Sequence, residues 1–426
     1  MNIISETVKP MAGYKVHIVK TEKYKTNTIV WKMKAPLKKE DVTLRALLPY
    51  VLQSSSEEFP TTGKLRSYLD ELYGGSLFVD LAKKGEFHII SLSMEVANEK
   101  FLSDPTPLLK KAIEFLAGLL MRPNVREGAF HKETVENEKR TLKQRIQSVY
   151  DDKMRYSNYR LVQEMCKEEP YSLHVHGDMD NVDSITAESL YEYYQNAMKT
   201  DELDLYIVGD VTEEEVVGLA EERFQFSERT PQLIDSDKYK QKNNFHEVIE
   251  EQDVKQGKLN IGYRTNIKYG DEDYYALQVF NGIFGGFSHS KLFLNVREKA
   301  SLAYYVTSRL ESHKGLMMVM SGIDNKNYDQ AIRIINEQMD AMKSGDFSEE
   351  EIVQTKAVIK NQLLETVDTS RGIVEILYHN VVSKKDISLD EWMEKMDHVT
   401  KEDIIAVANK INLDTIYFLT GKGDVK

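Results

Sequence analysis

Two spacings of apolar residues alternate along this chain, and their order is written twice. In PLLKKAIEFLAGLLMRP (107 to 123), Leu109, Ala112, Ile113, Leu116 and Leu120 fall at helical intervals. In AIRIINEQMDAM (331 to 342), Ile332, Ile335, Met339 and Met342 do the same. Both segments predict amphipathic helices. A strand-like run precedes each, FHIISLSME (87 to 95) and LMMVMSG (316 to 322). A longer helical pattern opening on phenylalanine follows each, FHKETVENEKRTLKQRI (130 to 146) and FSEEEIVQTKAVIKNQL (347 to 363). Phe130 then aligns with Phe347 and Lys139 with Lys356. Ser348 and Glu351 form a capping box for the second of these helices.

The register returns near the ends of the halves. TAESLYEYY (186 to 194) and LDLYIVGD (203 to 210) match TKEDIIAVA (400 to 408) and LDTIYFLTG (413 to 421), a helix and then a strand. Between the copies, SERTPQLIDSDKYKQKNNFHEV (227 to 248) is polar, contains proline and keeps no period, which marks a linker. The pattern predicts two homologous α+β domains, 1–228 and 249–426, joined by a linker over 229–248.

Composition bounds the function. A chain of 426 residues exceeds what one core usually organises. With 41% apolar and 29% charged residues it has the profile of a folded globular protein, and no run is long enough to span a membrane. Lysines and arginines are scattered over a chain of net charge −13, which argues against a nucleic-acid surface. The single cysteine, Cys166, forms no internal disulfide and reads as a buried spectator thiol. The N-terminus lacks the basic and apolar regions of a secretory signal, so a cytoplasmic location is expected.

Chemistry-bearing motifs are few. His174 and His176 are the only close histidine pair and read as ordinary loop residues. No HExxH, paired-cysteine, Gly-x-Ser-x-Gly or phosphate-loop pattern occurs. One stretch stands out, LFLNVREKASLAYYV (292 to 306). Leu292, Phe293 and Val296 are helically spaced, whereas Leu302, Tyr304 and Val306 alternate as in a strand. Arg297 is therefore expected near a helix end and Tyr304 on the strand after it, two donors able to converge. On spacing alone, an ion pair for Arg297 and sheet packing for Tyr304 are the ordinary roles.

The duplicated domain, the run Gly285, Gly286, Ser290, Leu292 and Phe293, and the Arg-Glu-Lys-x-x-Leu-Ala-Tyr that follows resemble the pitrilysin, insulinase and mitochondrial processing peptidase family of inverzincin zinc metallopeptidases. Within it, the chain looks like the small bacterial two-domain subunits. The resemblance implies a LuxS/processing-peptidase-like metallohydrolase fold, with two α/β-roll domains, each a mostly antiparallel sheet with helices packed on it. It also implies a zinc motif, His-x-x-Glu-His, within ALLPYVLQ (46 to 53). That motif is missing, and no histidine occurs between His17 and His88. Anchored on Phe130 and Glu138, the distant third ligand falls on Arg145. A dication about 4 Å from that guanidinium would be repelled by roughly 8 kcal/mol at an effective dielectric near 20.

In active relatives, the resemblance implies, Arg297 and Tyr304 face the metal and bind the substrate's scissile carbonyl region. The expectation is a noncatalytic subunit without intrinsic peptidase activity and with no cofactor of its own. It would complete in trans the site of a zinc-bearing paralogue that cleaves extended or unfolded peptides. The alternative is a homodimeric peptide-binding or scaffolding pseudoenzyme with no part in cleavage.

Overall fold

The computed structural model describes residues 4–104, 106–226, 229–231 and 245–422. The first half opens with strands β1 (Thr7–Pro10), β2 (Lys15–Lys20) and β3 (Thr26–Pro36), then helices α1 (Val42–Ser54) and α2 (Thr62–Glu71). A hairpin of β4 (Ser76–Lys84) and β5 (Phe87–Ala97) leads to α3 (Leu108–Met121) and the short pair β6 (Val125–Arg126) and β7 (Ala129–Phe130). Long helices α4 (Lys132–Asp151) and α5 (Lys153–Met165) come next. The single turn α6 (Met179–Val182), α7 (Ala187–Thr200), β8 (Glu202–Gly209) and α8 (Glu213–Arg223) close the half.

The second half runs through β9 (His246–Gln252), β10 (Gly257–Arg264), α9 (Tyr274–Asn281), and the hairpin of β11 (Ala303–Glu311) and β12 (Leu316–Ile323). Helices α10 (Tyr328–Ser344), α11 (Glu349–Val367), α12 (Ser370–Ser383), α13 (Leu389–His398) and α14 (Lys401–Lys410) precede the last strand, β13 (Asn412–Gly421).

The sheets are ordered β1-β2-β8-β3-β5-β4 and β11-β12-β10-β13-β9. Without β1, the two orders coincide when β4 is matched to β11. Pairing is antiparallel except for β2 with β8 and β9 with β13. The duplication read from sequence is thus a repeated topology, and the α+β reading with mostly antiparallel sheets holds. Side-chain contacts repeat too. Lys139 Nζ donates to the carbonyls of Asp183 and Ile185, and Lys356 Nζ donates to those of Asp397 and Val399. Each lysine thereby ties a long helix to the turn before a capping threonine, Thr186 or Thr400.

One boundary is corrected. Strand β9 begins at His246, three residues inside the segment assigned to the linker, because parallel pairing with β13 starts at His246 opposite Thr415. Residues 232–244 of that linker lie outside the described residues.

Each half lends a helix to the other. The apolar stripe of α3 fills the first core on one face of its sheet. The opposite face, with Val19, Val30, Ile89, Tyr206 and Val208, is covered by Ile373, Val374, Leu377 and Tyr378 of α12. Reciprocally, Tyr156 and Leu161 of α5 pack on Tyr417 and Leu419 of the second sheet. Gly262 of β10 makes room there, since a Cβ would stand 2.7 Å from the Met165 sulfur. Burial on both faces explains why β3 and β8 are buried almost continuously rather than at alternate positions. It also puts lysines inside: Lys32 Nζ lies 2.5 Å from Glu375 of α12, and Lys34 Nζ lies 3.1 Å from Glu202.

Candidate functional site

The glycine-rich run read from sequence has a steric explanation. The chain after α9 continues in π-helical turns, Gly282–Gly286 and Phe293–Lys299. A Cβ on Gly285 would sit 2.7 Å from Leu292 and from Ser308 Oγ, so only glycine lets β11 approach this closely. Ser290 is fully buried and its Oγ accepts from the Phe293 amide, which caps the second turn. Leu292 anchors that turn in the core.

Arg297 lies in the last stretch of the π-helical segment, as its spacing predicts. Its guanidinium rests over the Phe293 ring at 4.6 Å, and its side chain is 41% exposed. The nearest acid, Glu298, is 3.7 Å away and exposed, a contact worth little. Ser301 then takes a left-handed conformation, φ 52°, where no glycine is present. Next comes the edge strand β11, paired only with β12.

Tyr304 departs from the alternation read in the sequence. The β11 register pairs Ala303 with Ile323 and Tyr305 with Gly322, leaving Tyr304 as the extra residue of a bulge. The bulge turns Tyr304 away from Leu302 and Val306, which are buried, and leaves it 74% exposed. Among the described residues its hydroxyl has no hydrogen-bond partner. Arg297 and Tyr304 share this corner without hydrogen-bonding each other. Arg297 makes only that exposed ion pair with Glu298, and Tyr304 does not take the sheet packing that spacing alone suggests. π-turns, left-handed residues and bulges gather at functional sites because they aim side chains that regular structure cannot.

In the first domain, residues 46–53 lie inside α1. Ala46, Leu47, Leu48 and Leu52 are wholly buried core residues. Tyr50 faces α4, where the Arg145 guanidinium lies over its ring at 3.5 Å. Ser54 turns to the same helix and donates to Glu138 Oε1 at 2.8 Å. Zinc takes cysteine, histidine or carboxylate ligands, and its catalytic sites use three of them. Among the described residues no group of three such side chains is placed to hold a metal. A cation stacked on a phenol does not fit zinc.

Sequence reading named Arg145 and the segment containing Tyr50 but not their stacking, for which no local signal exists. His174 and His176 sit in a loop, their ring centroids 5.4 Å apart. Burial, then the neighbouring His176 and Lys83, push His174 down to about 3, so it stays neutral. Cys166 is fully buried, and burial followed by the charge of Glu169 pushes its thiol up to about 12, which excludes a thiolate nucleophile.

Comparison with known proteins agrees with this picture. Residues 184–359 match the family described as the peptidase M16 inactive domain. The chain is 58% identical over 421 residues to the probable inactive metalloprotease YmfF of Bacillus subtilis, covering 99% of each. It is 24% identical to the mitochondrial-processing peptidase subunit beta of Saccharomyces cerevisiae, over 71% of this chain and 68% of that one. A crystal structure of a protein from Enterococcus faecalis V583 superposes with a TM-score of 0.91 at 36% identity, covering 99% of this chain and 100% of that one. With its repeated fold and a first domain unfit for zinc, the chain belongs to the peptidase M16 family, as a homologue of its inactive metalloproteases.

Proposed function

We propose that this protein is the noncatalytic subunit of a two-chain zinc peptidase in the cytoplasm. Its domains, 1–228 and 249–426, close a chamber with those of a paralogue that carries the metal. Activation of water by zinc belongs to that partner. Arg297 and Tyr304 reach the substrate in trans and donate hydrogen bonds to the carbonyl oxygen as it gains negative charge. Guanidinium and phenol suit that task, because both are donors that need no reorganisation once positioned. Substrate is an extended or unfolded peptide, since an unpaired strand edge binds main chain and tolerates many side chains.

The observation that carries this reading is the contrast between the two halves. In the first, the aligned metal position holds a stacked Arg145. In the second, an exposed arginine and tyrosine are presented at a free sheet edge by a π-turn and a bulge. A relative described as one subunit of a peptidase lends support. The purified chain alone should bind no zinc and cleave nothing, whereas mixing it with a zinc-bearing paralogue should create peptidase activity. Arg297→Ala or Tyr304→Phe should lower that activity about 100-fold to 1000-fold. Unchanged rates in both variants would defeat the in-trans role. A homodimer that ignores the paralogue would instead favour a peptide-binding or scaffolding pseudoenzyme.

A further inference from the structure

Among the described residues, Arg145 makes no ion pair with a carboxylate. Tyr50 covers one face of its guanidinium, and Nη1 is buried with no acceptor among the described residues. Glu138, one α4 face-repeat earlier, accepts from Ser54 and makes no ion pair with it. Lys83 of β4 donates to the carbonyls of Tyr171 and Leu173 and, among the described residues, makes no ion pair. The Lys83 charge disfavours protonation of His174, and the Arg145 charge that of His176. Nδ1 of His176 is likewise buried without a partner.

Arg145 Nη1 and His176 Nδ1 are thus buried polar atoms without a partner among the described residues, in a chain whose net charge is −13. A buried donor without an acceptor is destabilising, and a planar guanidinium held on a ring is shaped for two-point capture of a carboxylate. Arg145 as a whole is only half-buried, so an anion reaches its outer edge from solvent.

We propose that Arg145, held flat on Tyr50, is the docking point for a carboxylate of the bound peptide. The carboxylate is the peptide's C-terminus or an Asp or Glu side chain. This rests on the peptide-binding reading above and adds to it what the aligned third-ligand position recognises.

Three labelled, unstructured peptides test it by fluorescence anisotropy: one without acidic residues and with a free C-terminus, its C-terminal amide, and the amide carrying one internal glutamate. The full-length protein should bind one or both carboxylate peptides about tenfold to a hundredfold more tightly than the plain amide. Whichever is favoured identifies the source. Arg145→Gln, which keeps a flat group on Tyr50, should bind all three alike, and Arg145→Lys should retain part of the preference.

Equal binding of all three by the wild type overturns the carboxylate site while leaving the peptide reading intact. If no peptide binds, the peptide reading fails, and a second measurement decides the anion site. Acetate replacing chloride at constant ionic strength should raise the melting temperature of the wild type and not of Arg145→Gln. No difference between them there overturns the proposal.

Discussion

Arg264 of β10 reaches from the second domain to Glu169 of the first, Nη2 to Oε1 at 2.6 Å, and holds Asp414 through Nε at 2.9 Å. Lys314 joins the same cluster, 2.6 Å from Glu169 and 2.5 Å from Glu86. Burial opposes these charges, but their hydrogen bonds hold Glu169 below the usual carboxylate range. Removing one partner from a buried ionic cluster leaves the others uncompensated. Arg264→Ala should therefore cost about 3 to 5 kcal/mol in urea unfolding, with both halves melting together. A loss below about 1 kcal/mol, or two separate transitions, would contradict the view that the halves fold as one body.

The two hairpins meet at their tips. Gly85, in the turn of β4 and β5, has φ +57°, and a Cβ there would stand 2.7 Å from the carbonyl oxygen of His313 in the turn of β11 and β12. Both faults act together in Gly85→Ala: a left-handed alanine costs roughly 1 kcal/mol, and the contact is with backbone, which gives little. The expected loss is about 2 kcal/mol or more, read by chemical denaturation. A neutral substitution would show that the tips do not touch in solution.

Beside that junction, His313 Nε2 and His379 Nδ1 are 2.7 Å apart, with rings nearly parallel and Tyr269 stacked on His379. Burial, reinforced by Lys84, pushes His379 down to about 3. Burial, then His379 and nearby lysines, pushes His313 well below its ordinary value. Unfolded histidines titrate near 6.5, so below about pH 6.5 the unfolded chain binds more protons and stability falls as pH falls. Above that value both states are neutral and these residues add no slope. His17 opposes them: burial disfavours its charge, but hydrogen bonds that its ring donates to Asp204 and Glu6 raise it overall. Its contribution is complete below about 6.5 and fades as pH rises through its folded value. Each depressed histidine contributes up to about 1.4 kcal/mol per pH unit. His379→Gln should flatten the fall in unfolding free energy between roughly pH 6 and pH 4. Curves that superpose with the wild type's would remove this histidine from the account.

What the sequence reveals here, and what it hides, follows from range. Lys139 and Lys356 align on paper because each sits in a helix whose apolar period is local, and the structure gives them the same carbonyl partners. The Gly285, Gly286 and Ser290 run is legible only through the family resemblance, since the contact that requires Gly285 is with Ser308 on β11. The exchange of α5 and α12 is not: a helical stripe announces that a face is buried, never which sheet buries it. Lys32 and Lys34 look like solvent-facing strand residues until α12 covers them. Tyr304 is the sharpest case. Alternation puts it beside Leu302 and Val306, and only its place as the inserted residue of a bulge, set by the pairing register with β12, turns it outward.

That outward turn separates stability from function at one residue. The Tyr304 hydroxyl has no partner among the described residues and the ring is largely in solvent, so folding gains almost nothing from either. Tyr304→Phe should leave unfolding within about 0.5 kcal/mol of the wild type. Tyr305, next in the chain, is the contrasting probe: its hydroxyl is buried and Lys258 lies 5.6 Å from its ring. Tyr305→Ala should cost about 3 kcal/mol through lost packing. If Tyr304 faces substrate, its variant alone should lose activity in the mixed enzyme at full stability, by a lower rate constant rather than weaker binding, because a donor to a developing oxyanion acts in the transition state. A Tyr304→Phe protein that melts early, or that loses only affinity, would return this residue to an ordinary structural role.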